Sequence, residues 1–173
     1  MILTNRLYKR EKPSKEAKSV FIFCEGAKRE RDYFNYFVNI DSRINIEVYS
    51  LKHDEDNSPL GLFDIAEKCI VKSKENPNPK HDFREGDEVW IVLDIDKDKF
   101  NSREPQFDEI KRRCKNNKKW FLALSNPCFE VWLYFHLYSS KPDNLSTKCS
   151  VWKSLVNKKV KGGFDSRRHP IYI

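Results

Sequence analysis

No stretch of the 173-residue chain is apolar over anything near the roughly 20 residues that cross a bilayer, and charged residues make up 34% of it. The N-terminal MILTNRLYKREK turns basic before an apolar segment of leader length forms, so neither a membrane span nor a secretory leader is expected. Glycine is scarce, at 5 residues, and none belongs to a Walker A loop, which excludes nucleotide hydrolysis by that route. The five cysteines (Cys24, Cys69, Cys114, Cys128, Cys149) are odd in number and scattered. No CxxC occurs, and the four histidines (His53, His81, His136, His169) form no HxxxH or paired Cys/His spacing. A disulfide framework and a structural zinc site therefore find little support, and reduced thiols in a cytoplasm fit better. Cys24 and Cys128, with apolar neighbours, read as small buried hydrophobes.

What is present suffices for one compact domain with a real core: 39% hydrophobic and 13% aromatic residues, including 12 Phe. The net charge of +7 is unevenly spread. Residues 1–19 carry six basic and two acidic side chains, and residues 141–173 carry eight and two, whereas 20–140 carry nineteen and twenty-two. An acidic centre between basic ends suits phosphate chemistry, with carboxylates for a metal and basic arms for a polyanion. Lysines that only keep a small protein soluble would look the same. Charge alone does not decide.

The hydropathy pattern alternates. Ser19–Cys24 is a continuous apolar run of strand length, and ERDYFNYFVN after it places Tyr33, Phe34, Phe37 and Val38 at helical spacing. Ile44, Ile46 and Val48 alternate with polar residues as in a half-buried strand. Ser58-Pro59 offers an N-cap and first-turn proline for a helix to about Lys72. Residues 74–87 read as loop from their prolines, glycine and charge. A third strand is expected at Val89–Leu93, a helix around Phe107–Cys114, and a fourth strand at Trp120–Leu124. An aromatic helix opened by Asn126-Pro127 should run to about Tyr138, with one more at Val151–Val160 ended by Gly162-Gly163. The order predicts an α/β fold with a mostly parallel four-stranded sheet covered by helices on both faces. The expected organisation is a basic N-terminal arm (1–18), a catalytic domain (19–140) and a basic, helical C-terminal extension (141–173).

Ligands of open parallel sheets bind at the carboxyl ends of the strands. Glu25 follows the first strand, Asp94 and Asp96 the third, and Glu130 lies in the first turn after the fourth. The two-residue spacing of Asp94 and Asp96 sets both side chains on one side of an extended chain. Together with Glu25 they suit a hard cation such as Mg²⁺ or Mn²⁺. A calcium loop starting at Asp94 fails, because its sixth position is Lys99 and its twelfth Pro105. A haloacid-dehalogenase-type phosphatase would carry its DxD after the first strand, with Thr or Val where Asp98 stands. Acidic residues capping a turn remain the plain alternative for the Asp pair, and helix-dipole stabilisation for Glu130. Glu30, one turn beyond Glu25, fits either the same edge or a solvated helix face. Lys28 and Arg29, at a helix start, are candidate phosphate contacts, and His136 reads as a core or surface histidine.

The segments FCEGAKRERDYF, VWIVLDIDKDKF and SNPCFEVWLYFH, in that order, resemble the RloB family, small bacterial proteins related to Toprim domains. The resemblance spans about residues 19–140 and is most specific in SNPCFExW. It implies a Toprim-like fold, Glu25 in acid/base chemistry, and Asp94 and Asp96 holding Mg²⁺. Glu130, the SNPCFE glutamate, is placed in the active site. Because such proteins are encoded beside restriction or abortive-infection genes and an RloA-like ATPase, the resemblance implies an anti-phage nuclease effector controlled by that ATPase. The family's TE-like pair after EG reads Arg29-Glu30 here, and further helical sequence would be expected beyond HPIYI, as in a truncated member.

The reading is thus a cytoplasmic, Mg²⁺-dependent nuclease. Lys158, Lys159, Lys161, Arg167 and Arg168 would grip the backbone of DNA or RNA without reading bases. The alternative is a non-catalytic Toprim-like module that binds nucleic acid or the ATPase.

Overall fold

The computed structural model describes residues 9–26, 28–95, 97–143 and 146–159. Four strands, β1 (Lys18–Cys24), β2 (Ile44–Ser50), β3 (Glu88–Asp94) and β4 (Trp120–Ser125), form an all-parallel sheet in the order β2-β1-β3-β4. The two central strands are continuously apolar, as burial on both faces requires, and edge strand β4 is as apolar but only partly buried. Edge strand β2 alternates instead, pairing Ile46 with Val20 and Val48 with Ile22.

Five helices complete the chain: α1 (Arg29–Asn35), α2 (Pro59–Ile70), α3 (Lys97–Asn116), α4 (Glu130–Leu137) and α5 (Cys149–Lys159). On one face, Leu62, Phe63, Ala66, Ile70, Phe107 and Ile110 from α2 and α3 pack on Phe21, Phe23, Val89, Ile91 and Leu93. Each of these side chains apart from Ala66 contributes about 1.5–3 kcal/mol by leaving water. On the other face Phe34 of α1 covers Ile22, Cys24 and Val92. A satellite cluster of Tyr33, Phe129, Leu133, Tyr134, Trp152 and Val156 joins α1 to α4 and α5.

Local chemistry explains most boundaries. Ser58 caps α2, its hydroxyl accepting from the Gly61 N–H at 3.0 Å, with Pro59 at the first position where no N–H is needed. Residues 36–38 beyond α1 continue as tight turns, so the first helix is shorter than its aromatic spacing suggests. The start of β3 is fixed by buried Asp87, which accepts from the N–H groups of Ser19 (2.7 Å) and Arg84 (2.8 Å) across a turn where Gly86 takes φ 100°. The Arg84 guanidinium donates onward to the carbonyls of Lys15 and Ala17. The N-terminal arm, from residue 9, is held by Arg10 donating to the Tyr36 carbonyl.

Two further boundaries depart from the sequence expectation. Helix α3 begins ten residues before Phe107 and carries Pro105 inside it. Helix α4 begins at Glu130 rather than at Asn126-Pro127, a cis peptide, and the Phe129 N–H just before it donates to the Asp94 carboxylate. Among the described residues, no helix is long and apolar enough to cross a membrane.

Candidate functional site

The strand order reverses between β1 and β3. The chain leaves β1 through α1 toward β2, and leaves β3 through α3 toward β4, on the opposite face. The departing connections open a crevice at the carboxyl ends of β1 and β3, the place where open α/β sheets take ligands. Glu25 and Asp94 flank it. The Glu25 N–H extends the ladder by donating to the Val92 carbonyl at 3.1 Å, and the Asp94 N–H donates to the Glu25 carboxylate at 3.4 Å.

Glu30 closes the third side. It is buried at 8% exposure in the first turn of α1, so the solvated-face reading does not hold. Its carboxylate lies over Gly26, where a Cβ would displace it. Burial first, and then Glu25, raises the Glu30 carboxyl above its ordinary range, partly offset by its own backbone hydrogen bond, Arg29 and Lys153. Asp94 feels the same forces more strongly. Desolvation, then the charges of Glu30 and Glu25, push it up to about 8, against the Phe129 N–H and Lys153. Three carboxylates thus share one half-buried crevice, an all-oxygen donor set suited to a small hard dication. Asp96 lies outside the described residues.

Two arginines meet these acids. Arg103 of α3 donates to Glu25 at 2.9 Å, both side chains mostly buried. Sequence reasoning misses it, because a helix starting at Phe107 leaves Arg103 in a loop. The only signal was its closeness to the DxD. Arg29 forms an ion pair with Glu130, which is buried at 4%. Arg29 therefore stands inside the site as a carboxylate partner, and Glu130 does more than face the helix dipole. Lys153 of α5, also unforeseen, acts electrostatically on Glu30 and Asp94.

The remaining candidates are spread out. Lys28, exposed, immediately precedes α1. Lys158 and Lys159 form the last turn of α5, exposed, with the Lys159 ammonium 5.2 Å from the centre of the Tyr138 ring. Lys161, Arg167 and Arg168 lie outside the described residues. His136 Nε2 sits 2.9 Å from the Tyr33 hydroxyl, and burial lowers its pKa, consistent with a packing role.

The family model described as RloB-like protein matches residues 20–170, well past the 19–140 carried by the three motifs and through the basic C-terminal stretch. No curated protein and no solved structure matches the chain.

Proposed function

Taking membership of the RloB-like family as the premise, we propose that this chain is a metal-dependent nuclease that cleaves phosphodiester bonds. The observation that carries the reading is the convergence of Glu25, Glu30 and Asp94 at the reversal of strand order, with Asp94 raised to about 8 by burial and then by Glu30 and Glu25. Repelling carboxylates brought together at a ligand-binding edge are stabilised by a bound cation, and they are costly without one. Asp94, with Asp96 beside it in sequence, would hold Mg²⁺ or Mn²⁺. That ion, when bound, polarises the phosphate and offsets the charge that develops on it. Glu25 would take the proton from the attacking water, while Arg103 holds its carboxylate in place. The basic residues of α5 and beyond would track the polyanion. Following the family resemblance, the protein would act as a cytoplasmic anti-phage effector working with an RloA-like ATPase.

A second reading is favoured by one observation: Arg103 and Arg29 already neutralise Glu25 and Glu130. A site with two of its acids already paired to arginines could serve as a docking module for nucleic acid or the ATPase without cutting.

Cleavage of labelled plasmid, single-stranded DNA and total tRNA, with Mg²⁺, Mn²⁺ or EDTA, tests both readings beside Asp94→Ala and Glu25→Ala variants. The nuclease requires metal-dependent cutting that both variants lose. Absence of cutting with the ATPase added, together with absence of Mg²⁺ binding, selects the docking module.

A further inference from the structure

The cysteine spacing gives no zinc signature, yet the fold brings two cysteines and a carboxylate together. Cys128, buried at 1%, lies in the turn between β4 and α4; Glu130 is the first residue of α4; Cys149 is the first of α5. One donor atom from each lies within 4.8 Å of the other two. A tetrahedral zinc ion has Zn–S distances of about 2.3 Å and Zn–O of about 2.0–2.2 Å, which sets its ligand atoms about 3.3–3.8 Å apart. The three donors therefore lie close to that geometry, with Cys149 half-buried at the start of α5.

We propose that Cys128, Cys149 and Glu130 form a site for a thiophilic divalent cation of the zinc class, with the fourth position open to water. Two thiolates and a carboxylate around a dication leave one negative charge, and two cations stand ready to balance it. Arg29 is paired to Glu130, and Lys153, one turn beyond Cys149 on α5, lies close enough to act on Cys128. The Arg29 pair does not exhaust Glu130, since a carboxylate offers two oxygens and about four lone pairs. Without an ion, the Cys128 thiol hydrogen-bonds with Cys149, and burial raises its pKa, so metal uptake would release protons. The site adjoins the one proposed in the crevice, since the Asp94 charge also acts on Cys128, and differs from it in donor chemistry: soft sulfur here, hard oxygen there. Its structural effect would be to staple α5 to the start of α4, reinforcing the contacts of Trp152 and Val156.

The test does not depend on any cleavage activity. The full chain, purified reduced and without a chelating tag, is assayed for zinc by mass spectrometry and titrated with Co²⁺, whose thiolate charge-transfer absorption reports sulfur ligation. About one zinc per chain and a thiolate–cobalt band are expected. Outer-sphere partners alone are worth about 10–100-fold in metal affinity, so Cys149→Ser is expected to cost at least about a hundredfold. Glu130→Gln should cost less, and Cys69→Ser, which alters a cysteine outside the cluster, nothing. Circular dichroism of Cys149→Ser checks that the fold persists, should Cys128→Ser at its buried position fail to fold. Three results would overturn the proposal: no zinc or cobalt uptake by the reduced chain, a cobalt spectrum unchanged in Cys149→Ser, or a Cys128–Cys149 disulfide whose reduction does not restore metal binding.

Discussion

Replacing Asp94 with asparagine removes a charge that its surroundings oppose, so the metal-free variant should be the more stable protein at alkaline pH. The Asp94 carboxyl titrates near 8 in the folded chain, against an ordinary value of 3.8. The folded state therefore holds this proton more tightly than the unfolded state does. The stability it contributes is complete below about pH 4 and is lost as pH rises toward and through 8. At 1.36 kcal/mol per unit, the wild type should lose about 2–3 kcal/mol through this group between about pH 5.5 and 8.5, after allowance for its partial solvent contact. Asparagine has no proton to lose, and its carbonyl can still accept from the Phe129 N–H. For a chain of this size the gap corresponds to about 4–12 °C in Tm. Melting both proteins across that range in EDTA measures it. Mg²⁺ should then raise the Tm of the wild type at the alkaline end and leave Asp94→Asn unmoved. Curves that run parallel with pH, or an equal response to Mg²⁺, would refute the electrostatic account of the crevice.

Gly26→Ala should push the Glu30 carboxylate out of the crevice, costing about 1–2 kcal/mol in a denaturant melt and weakening Mg²⁺ binding in calorimetry. Arg103→Gln removes the cation 2.9 Å from Glu25. Mg²⁺ should then bind several-fold more tightly by calorimetry while cleavage falls; weaker binding would mean that Arg103 serves mainly to orient Glu25. Asp87→Ala strands the buried N–H of Ser19 and the part-buried N–H of Arg84 and should cost about 1–3 kcal/mol by thermal melting, with metal binding at the distant strand ends unchanged.

The strands were readable because β1 and β3 are central, and a strand buried on both faces must be apolar throughout. The Ser58-Pro59 pair located α2 because capping chemistry is local. By the same logic Glu25 and Asp94 could be placed at one edge from strand order alone. What failed was whatever depended on distant partners. The first turns of α3 are hydrophilic and precede Pro105, so neither hydropathy nor propensity marked them, and Arg103 went unseen with them. Glu30 was ambiguous because its burial comes from the tertiary fold, which the spacing on its own helix does not reveal. Cys128 and Cys149 are brought together by the docking of α5 on α4. No spacing rule covers that contact.

The crevice draws Glu25 and Glu30 from the first connection, Asp94 and Arg103 from the third, and Arg29 meets Glu130 only across the satellite cluster. Nothing in it is assembled by neighbours in sequence alone. Contacts of such long separation form late, after the entropy of closing the intervening loops has been met. A chain still being synthesised, or partly unfolded, would carry every acid of the site without holding them together. Whatever chemistry these groups perform would therefore begin only when the last layer of the fold closes, so the timing of activity is tied to the completion of folding.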